Sequence, residues 1–165
     1  MKITLSWLRE HLDTDADIKV IESTLTNIGL EVESIEDRTE ELKPFTVAKV
    51  INVSKHPDAD RLKICDVETI KGSLQVVCGA PNAKTGMLGV FAPEKTYIPG
   101  TKIKLKKSKI RGVESCGMLV SEKEMGLSDE HEGIIEIDQK YKVGDSFAEI
   151  YGLNDPLIEI NVTPN

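Results

Sequence analysis

Six cations stand within eleven residues. Lys102, Lys104, Lys106, Lys107, Lys109 and Arg111 lie between Thr101 and Arg111 with no acidic residue among them. Such a run makes a phosphate-tracking surface, because each neutralised phosphate releases condensed counterions. Its other use is to blunt an exposed strand edge against aggregation. Arg61 and Lys63 add two cations earlier in the chain, and Ser115, Gly117, Met118 and Ser121 follow the run closely. A hydroxyl bonds a phosphate or a base edge, and a glycine lets backbone approach a ligand. A methionine offers a base a soft apolar surface. Aromatic residues are only 4% of the chain, and Tyr97 is the stacking candidate nearest the run. Backbone charge and shape would therefore outweigh base stacking in any such contact.

Two other constellations invite chemistry. His56, Asp58 and Asp60 alternate imidazole with carboxylates, as a metal site does, yet such a site needs a further ligand from elsewhere. Pro57 and the aspartates also make His56 to Asp60 a turn by local chemistry, and that reading is preferred. The stretch Asp129-Glu130-His131-Glu132 reads as a solvated loop. Cys78 before Gly79 would be a nucleophile if a histidine lay opposite, but a strand cysteine more often packs as a small hydrophobe. No Gly-x-x-x-x-Gly-Lys-Ser/Thr or Gly-x-Ser-x-Gly pattern occurs, so no catalytic residue and no metal ligand is assigned.

The chain has 165 residues and a formal net charge of −7. That average conceals a segregation. Residues 1–43 carry 5 basic and 11 acidic side chains, residues 44–113 carry 13 and 5, and residues 114–165 carry 3 and 12. A basic middle lies between acidic flanks, so the net charge does not exclude a polyanionic partner. No apolar run is long enough to span a membrane, and Arg9 and Glu10 interrupt any signal-peptide core. Three cysteines without a Cys-x-x-Cys pair fit a reducing, cytoplasmic compartment.

The elements that would position these residues follow from periodicity. Ser6 is expected to cap a helix over 7–12 with Trp7, Leu8 and Leu12 as its apolar face. Asp15 or Asp17 would cap a second helix carrying Ile18, Ile21, Leu25 and Ile28, ended by Gly29. Leu30 to Ile35 reads as extended, and 36–43 as a charged linker. From Pro44 the texture is β. Strands are expected around Val47–Val53, Leu62–Ile70, Leu74–Cys78 and Leu88–Phe91, with a two-faced strand over Lys102–Ile110 whose Ile103 and Leu105 face the core. Short strands separated by turns suggest a small barrel. Leu157 to Val162 forms a last extended segment before Thr163-Pro164-Asn165, and this early stop suggests a truncated domain.

Three segments carry a resemblance. His56-Pro57-Asp58-Ala59-Asp60-Arg61-Leu62, Val76-Val77-Cys78-Gly79-Ala80-Pro81-Asn82 and Arg111-Gly112-Val113-Glu114-Ser115-Cys116-Gly117-Met118-Leu119 resemble the tRNA-binding OB-fold family. Four further segments, Met1-Lys2-Ile3 through Trp7-Leu8, Gly29-Leu30-Glu31-Val32-Glu33, Ser121-Glu122-Lys123-Glu124 with Gly126-Leu127-Ser128, and Ile160-Asn161-Val162-Thr163-Pro164-Asn165, are similar to the N-terminal region of bacterial phenylalanyl-tRNA synthetase β subunits. Val120 and Met125 depart from that pattern, where cysteine and leucine are common.

The resemblance implies a mainly β chain with α+β flanks. A five-stranded OB barrel over 39–152 would be inserted into an incomplete small α+β domain made of 1–38 and 153–165, with Leu30–Ile35 and Leu157–Val162 as neighbouring strands. It implies a non-catalytic tRNA-binding module without its own cofactor. The candidate contacts are Arg61, Lys63, Lys102, Lys104, Lys106, Lys107, Lys109, Arg111, Ser115, Gly117, Met118 and Ser121. The whole enzyme would use ATP and Mg²⁺ and assemble as an α2β2 tetramer. The alternative function is an assembly domain with little RNA contact.

Overall fold

A computed structural model describes residues 1–162; the expected closing Thr163-Pro164-Asn165 lies outside them. The chain forms two compact units. One comprises Met1–Leu42 and the chain from Tyr151 onward, and the other is Lys43–Ile150.

In the first unit, β1 (Lys2–Thr4), β2 (Glu31–Glu36) and β13 (Leu157–Asn161) form an antiparallel sheet in the order β1-β13-β2. Ile158 stands opposite Ile3 on one side and Ile35 on the other, and Ile160 stands opposite Val32 after a bulge. The expected neighbours are therefore paired. Helices α1 (Leu5–His11) and α2 (Ile18–Asn27) complete the unit. Ile3, Leu5, Ile21, Ile158 and Ile160 form its core, with Leu8 and Leu25 packed against them. The Asp17 carboxylate accepts the Lys19 and Val20 N–H groups and caps α2.

The start of α1 differs from expectation. Thr4, not Ser6, is the cap residue, and its hydroxyl accepts the Trp7 N–H. Starting two residues earlier turns Leu5 and Leu8 inward at i, i+3 spacing and leaves Trp7 and Leu12 half exposed. Ser6 instead donates both its N–H and its hydroxyl to the Asp155 carboxylate. The expected linker also contains structure: α3 (Thr39–Leu42) ends on a fully buried Leu42.

Partial burial raises the Asp155 carboxyl, but the Ser6, Thr4 and Leu5 donors outweigh it and hold its pKa below the ordinary value. A depressed carboxyl contributes stability that is fully present above the unfolded pKa, near 3.8, and is lost as pH falls through the folded one. Asp155→Asn should therefore lower stability at neutral pH and bring it closer to wild type in acid, as pH falls below 3.8. Denaturant midpoints measured at both pH values check this; an equal difference at both would exclude the carboxylate as the source.

In the second unit, β3 (Thr46–His56), β4 (Ala59–Thr69), β5 (Gly72–Cys78), β6 (Leu88–Ala92) and β11 (Met118–Leu119) run in the order β11-β6-β3-β4-β5. β12 (Glu136–Ile137) also pairs with β6. Every residue of β6 is buried. Val50, Cys65, Val67, Val76, Met87, Phe91 and Leu119 lie in the core. One short helix, α4 (Phe147–Ile150), contributes the buried Phe147.

The chain is mainly β with few helices and antiparallel pairing throughout. Among the described residues no ladder joins β11 to β5 to complete the expected barrel. That gap is bridged instead by Cys116 N–H donating to the Gln75 carbonyl (2.9 Å) and Val77 N–H donating to the Ser115 hydroxyl (3.1 Å).

Candidate nucleic-acid interface

The cationic run does not form one strand. β7 (Tyr97–Ile98) pairs with β8 (Ile103–Lys104), and β9 (Ser108–Ile110) pairs with β10 (Val113–Ser115), leaving 105–107 between two hairpins. The cause is parity. Ile103 and Leu105 are odd positions and Ile110 is even, so one pleated strand would put them on opposite faces. Contrary to expectation, Ile103 is exposed rather than core-facing.

The break places Lys102 and Arg111 at corners. Lys95, Lys102 and Arg111 adopt left-handed backbone, with φ of 68°, 56° and 46°, and no other non-glycine described residue does so. An L-residue is disfavoured there by roughly 1–2 kcal/mol, where glycine or asparagine fits more readily. Lys102, Lys104, Lys106, Lys109 and Arg111 are all exposed. Lys107 is the exception to a free cationic face: it forms an ion pair of 2.8 Å with Glu114, whose hydrogen bond and charge raise its pKa. Lys109 stands opposite the same glutamate in the ladder.

The β9–β10 hairpin meets the β3–β4 turn. His56 Nε2 lies 3.0 Å from the Ile110 carbonyl, His56 Nδ1 accepts the Asp58 N–H at 3.1 Å, and Arg111 Nη1 donates to the Asp58 carbonyl at 3.1 Å. Both ring nitrogens of His56 are thus engaged within the protein. Among the described residues no group of three or more His, Cys, Asp or Glu is arranged to hold a metal. Arg61 is exposed in a wide bulge, since the ladder passes from Lys55 opposite Lys63 directly to His56 opposite Ala59. Lys63 turns inward and donates to the Pro81 and Ala83 carbonyls at 2.8 and 2.9 Å, which pins the loop after β5.

The smaller candidates hold the scaffold. Ser115 is buried, accepting from Val77 and donating to the Gly117 carbonyl. Gly117 has φ +99°, and a Cβ there would lie 2.6 Å from both the Ala92 carbonyl and the Phe91 ring. Its close approach is to protein, not ligand. Met118 is half-buried in β11 opposite Ala92. Ser121 is buried and exchanges hydrogen bonds with Glu124, whose carboxylate accepts both the Ser121 N–H (2.6 Å) and hydroxyl (2.9 Å). That Ser-x-x-Glu spacing is a capping box legible in the sequence.

Cys78 lies beside Cys65 on the next strand. The hydrogen bond from the Cys65 thiol lowers the Cys78 pKa to about 7 and pushes Cys65 up. Cys78 and His131 line one cavity of about 330 Å³. Yet Cys78 Sγ accepts the Ala80 N–H at 3.4 Å, and the His131 ring contacts the Asp129 carbonyl. No hydrogen bond joins Cys78 to a histidine among the described residues.

Comparison with known families then decides the relationship: the family described as "Putative tRNA binding domain" matches residues 45–146. The chain belongs to this tRNA-binding domain family. The domain and its flanks together are 55% identical to the phenylalanine–tRNA ligase β subunit of Mesorhizobium japonicum, 53% to that of Brucella abortus and 52% to that of Nitrobacter winogradskyi. Each match covers 100% of this chain and 20 or 21% of the relative, so the chain spans about a fifth of their length. A solved MetRS related protein from Pyrococcus horikoshii matches at 22% identity and TM-score 0.48, covering 67% of this chain and 95% of that one. No helix of the described residues is long and apolar enough to cross a membrane.

Sequence reasoning passed over Lys95 and Lys55 in this tRNA-binding domain. Lys95 joins the first hairpin through its N–H to the Leu105 carbonyl, and Lys55 lies opposite Lys63 in the ladder. The Pro93-Glu94-Lys95 turn was the available signal for the first.

Proposed function

We propose that this chain is a non-catalytic tRNA-binding module belonging to a phenylalanine–tRNA ligase β subunit, and that its second unit is an OB-type barrel closed at the Ser115–Cys116 bridge. Two hairpins that set exposed Lys102 and Arg111 at their corners, with exposed Lys104 and Lys109 on their strands and Lys106 between them, carry this reading. These cations, with Arg61 from the β4 bulge, contact phosphates. Ser115, Gly117 and Ser121 act indirectly by fixing the frame, and Met118 offers the apolar contact. Lys63 and Lys107 contribute less, because their ammonium groups are already engaged. The whole ligase would join phenylalanine to tRNA with ATP and Mg²⁺ in an α2β2 assembly in the cytoplasm. The full-length relatives bearing the ligase name support that context.

Binding of bulk tRNA measured between about 50 and 200 mM salt tests the mechanism. Four neutralised phosphates would make log K fall by roughly 3 per log unit of salt. A flat response would overturn the electrostatic mechanism. The Lys107–Glu114 pair, which removes one cation from the face, favours a second reading as an assembly domain. A chain that leaves tRNA unbound at low salt, yet is required for subunit assembly, would establish that one.

A further inference from the structure

We infer that His56 is a positioning residue for tRNA binding, acting as the latch that fixes the β9–β10 hairpin against the β3–β4 turn. This rests on the tRNA-binding function proposed above. His56 is buried, with 4% of its surface exposed. Because Nδ1 accepts the Asp58 N–H, the neutral ring carries its proton on Nε2, and that N–H donates to the Ile110 carbonyl; the tautomer follows from these two partners. Ile110 lies 54 residues further along the chain, directly before Arg111. Arg111 returns a hydrogen bond to the Asp58 carbonyl. Two contacts therefore tie the hairpin tip to the turn, and the Asp58–His56 bond braces the turn itself.

The tip needs this tie. Among the described residues β9 pairs with β10 alone, and an isolated two-stranded ribbon is marginal in water. The base of the hairpin is held separately, by Gln75 Nε2 donating to the Glu114 carbonyl at 2.7 Å and by the Cys116–Gln75 backbone bond. Loss of His56 would remove one of the two ties, and the Nδ1 bond that orients Asp58 for the other, while leaving the base attached. The residues affected are cations on both sides of the tie: Lys109 and Arg111 on the hairpin, and Lys55 and Arg61 around the turn. Fixing them beforehand removes an ordering cost from binding.

The test replaces His56 in the 165-residue chain and measures bulk tRNA affinity against salt, with circular dichroism confirming the fold. His56→Phe keeps a buried ring but offers neither hydrogen bond. It should bind roughly tenfold more weakly, with a salt slope shallower by about 1.4, the share of two phosphate contacts. His56→Gln, whose amide supplies one donor and one acceptor, should recover both. A folded His56→Phe with wild-type affinity and slope would overturn the inference while leaving the tRNA-binding function intact. If His56→Phe does not fold, His56→Ala is read the same way. Failure of both to fold beside a normal His56→Gln would make His56 a stability residue and overturn the inference. Absence of salt-dependent binding in the wild-type chain would instead remove the functional proposal, and this inference with it.

Discussion

Replacing Gly117 by alanine should destabilise the second unit by about 2–5 kcal/mol. Two costs add at this position. The backbone has φ +99°, which an L-residue adopts only with strain, and the new Cβ would lie 2.6 Å from the Ala92 carbonyl and the Phe91 ring. Neither neighbour moves freely. Ala92 and Phe91 belong to the fully buried β6, and both are paired with β11 itself. Reduced freedom of the unfolded chain returns only about 0.4–1 kcal/mol of this loss. Gly72→Ala is the control, with φ +106° but nothing within 4 Å of its Cβ, so it carries the backbone cost alone. Guanidinium titrations followed by far-UV circular dichroism compare the two. Equal losses would mean that Phe91 gives way and that the crowding contributes nothing.

Gly117 also shows where the sequence stops being legible. A glycine among Ser115, Cys116 and Met118 signals a close approach, but not what is approached, and Phe91 is 26 positions away. The same limit applies to Ser115, whose hydroxyl meets the backbone of Val77, and to Lys63, whose ammonium meets carbonyls of Pro81 and Ala83. Polar residue types announce capacity for hydrogen bonding, and burial decides whether a ligand or the chain uses it. Patterns with local causes were readable. The long β3 and β4 strands follow from apolar repetition on either side of a Pro-Asp turn, and α2 follows from its Asp17 cap and helical spacing. The break in Lys102–Ile110 has a local signature as well, since its apolar residues change parity between Leu105 and Ile110. The corner cations emerge only with backbone angles.

Arg111→Asn should separate the two uses of that corner, because stability and tRNA binding are expected to respond differently. Ile110 pairs with Val113, so Arg111 and Gly112 form a two-residue hairpin loop, with φ of 46° and 85°. Left-handed backbone at both central positions is the type I′ pattern, whose preferred sequence is Asn-Gly. Arginine is an unfavourable choice there on conformational grounds. Asparagine should relieve about 1 kcal/mol of backbone strain. Against this stands the exposed Arg111–Asp58 hydrogen bond, with a contribution of about 0.5–1 kcal/mol. The variant should therefore be at least as stable as wild type within about 0.5 kcal/mol. Its tRNA affinity should fall roughly tenfold, with the salt slope shallower by about 0.7 for one lost phosphate contact. A cation kept in a strained turn at the expense of local stability is the pattern expected of a binding residue. Denaturant midpoints and salt-dependent tRNA titrations on the same preparation decide the matter. Loss of more than about 1 kcal/mol with unchanged affinity would show that Arg111 holds the hairpin to the Asp58 turn and leaves phosphate to the lysines.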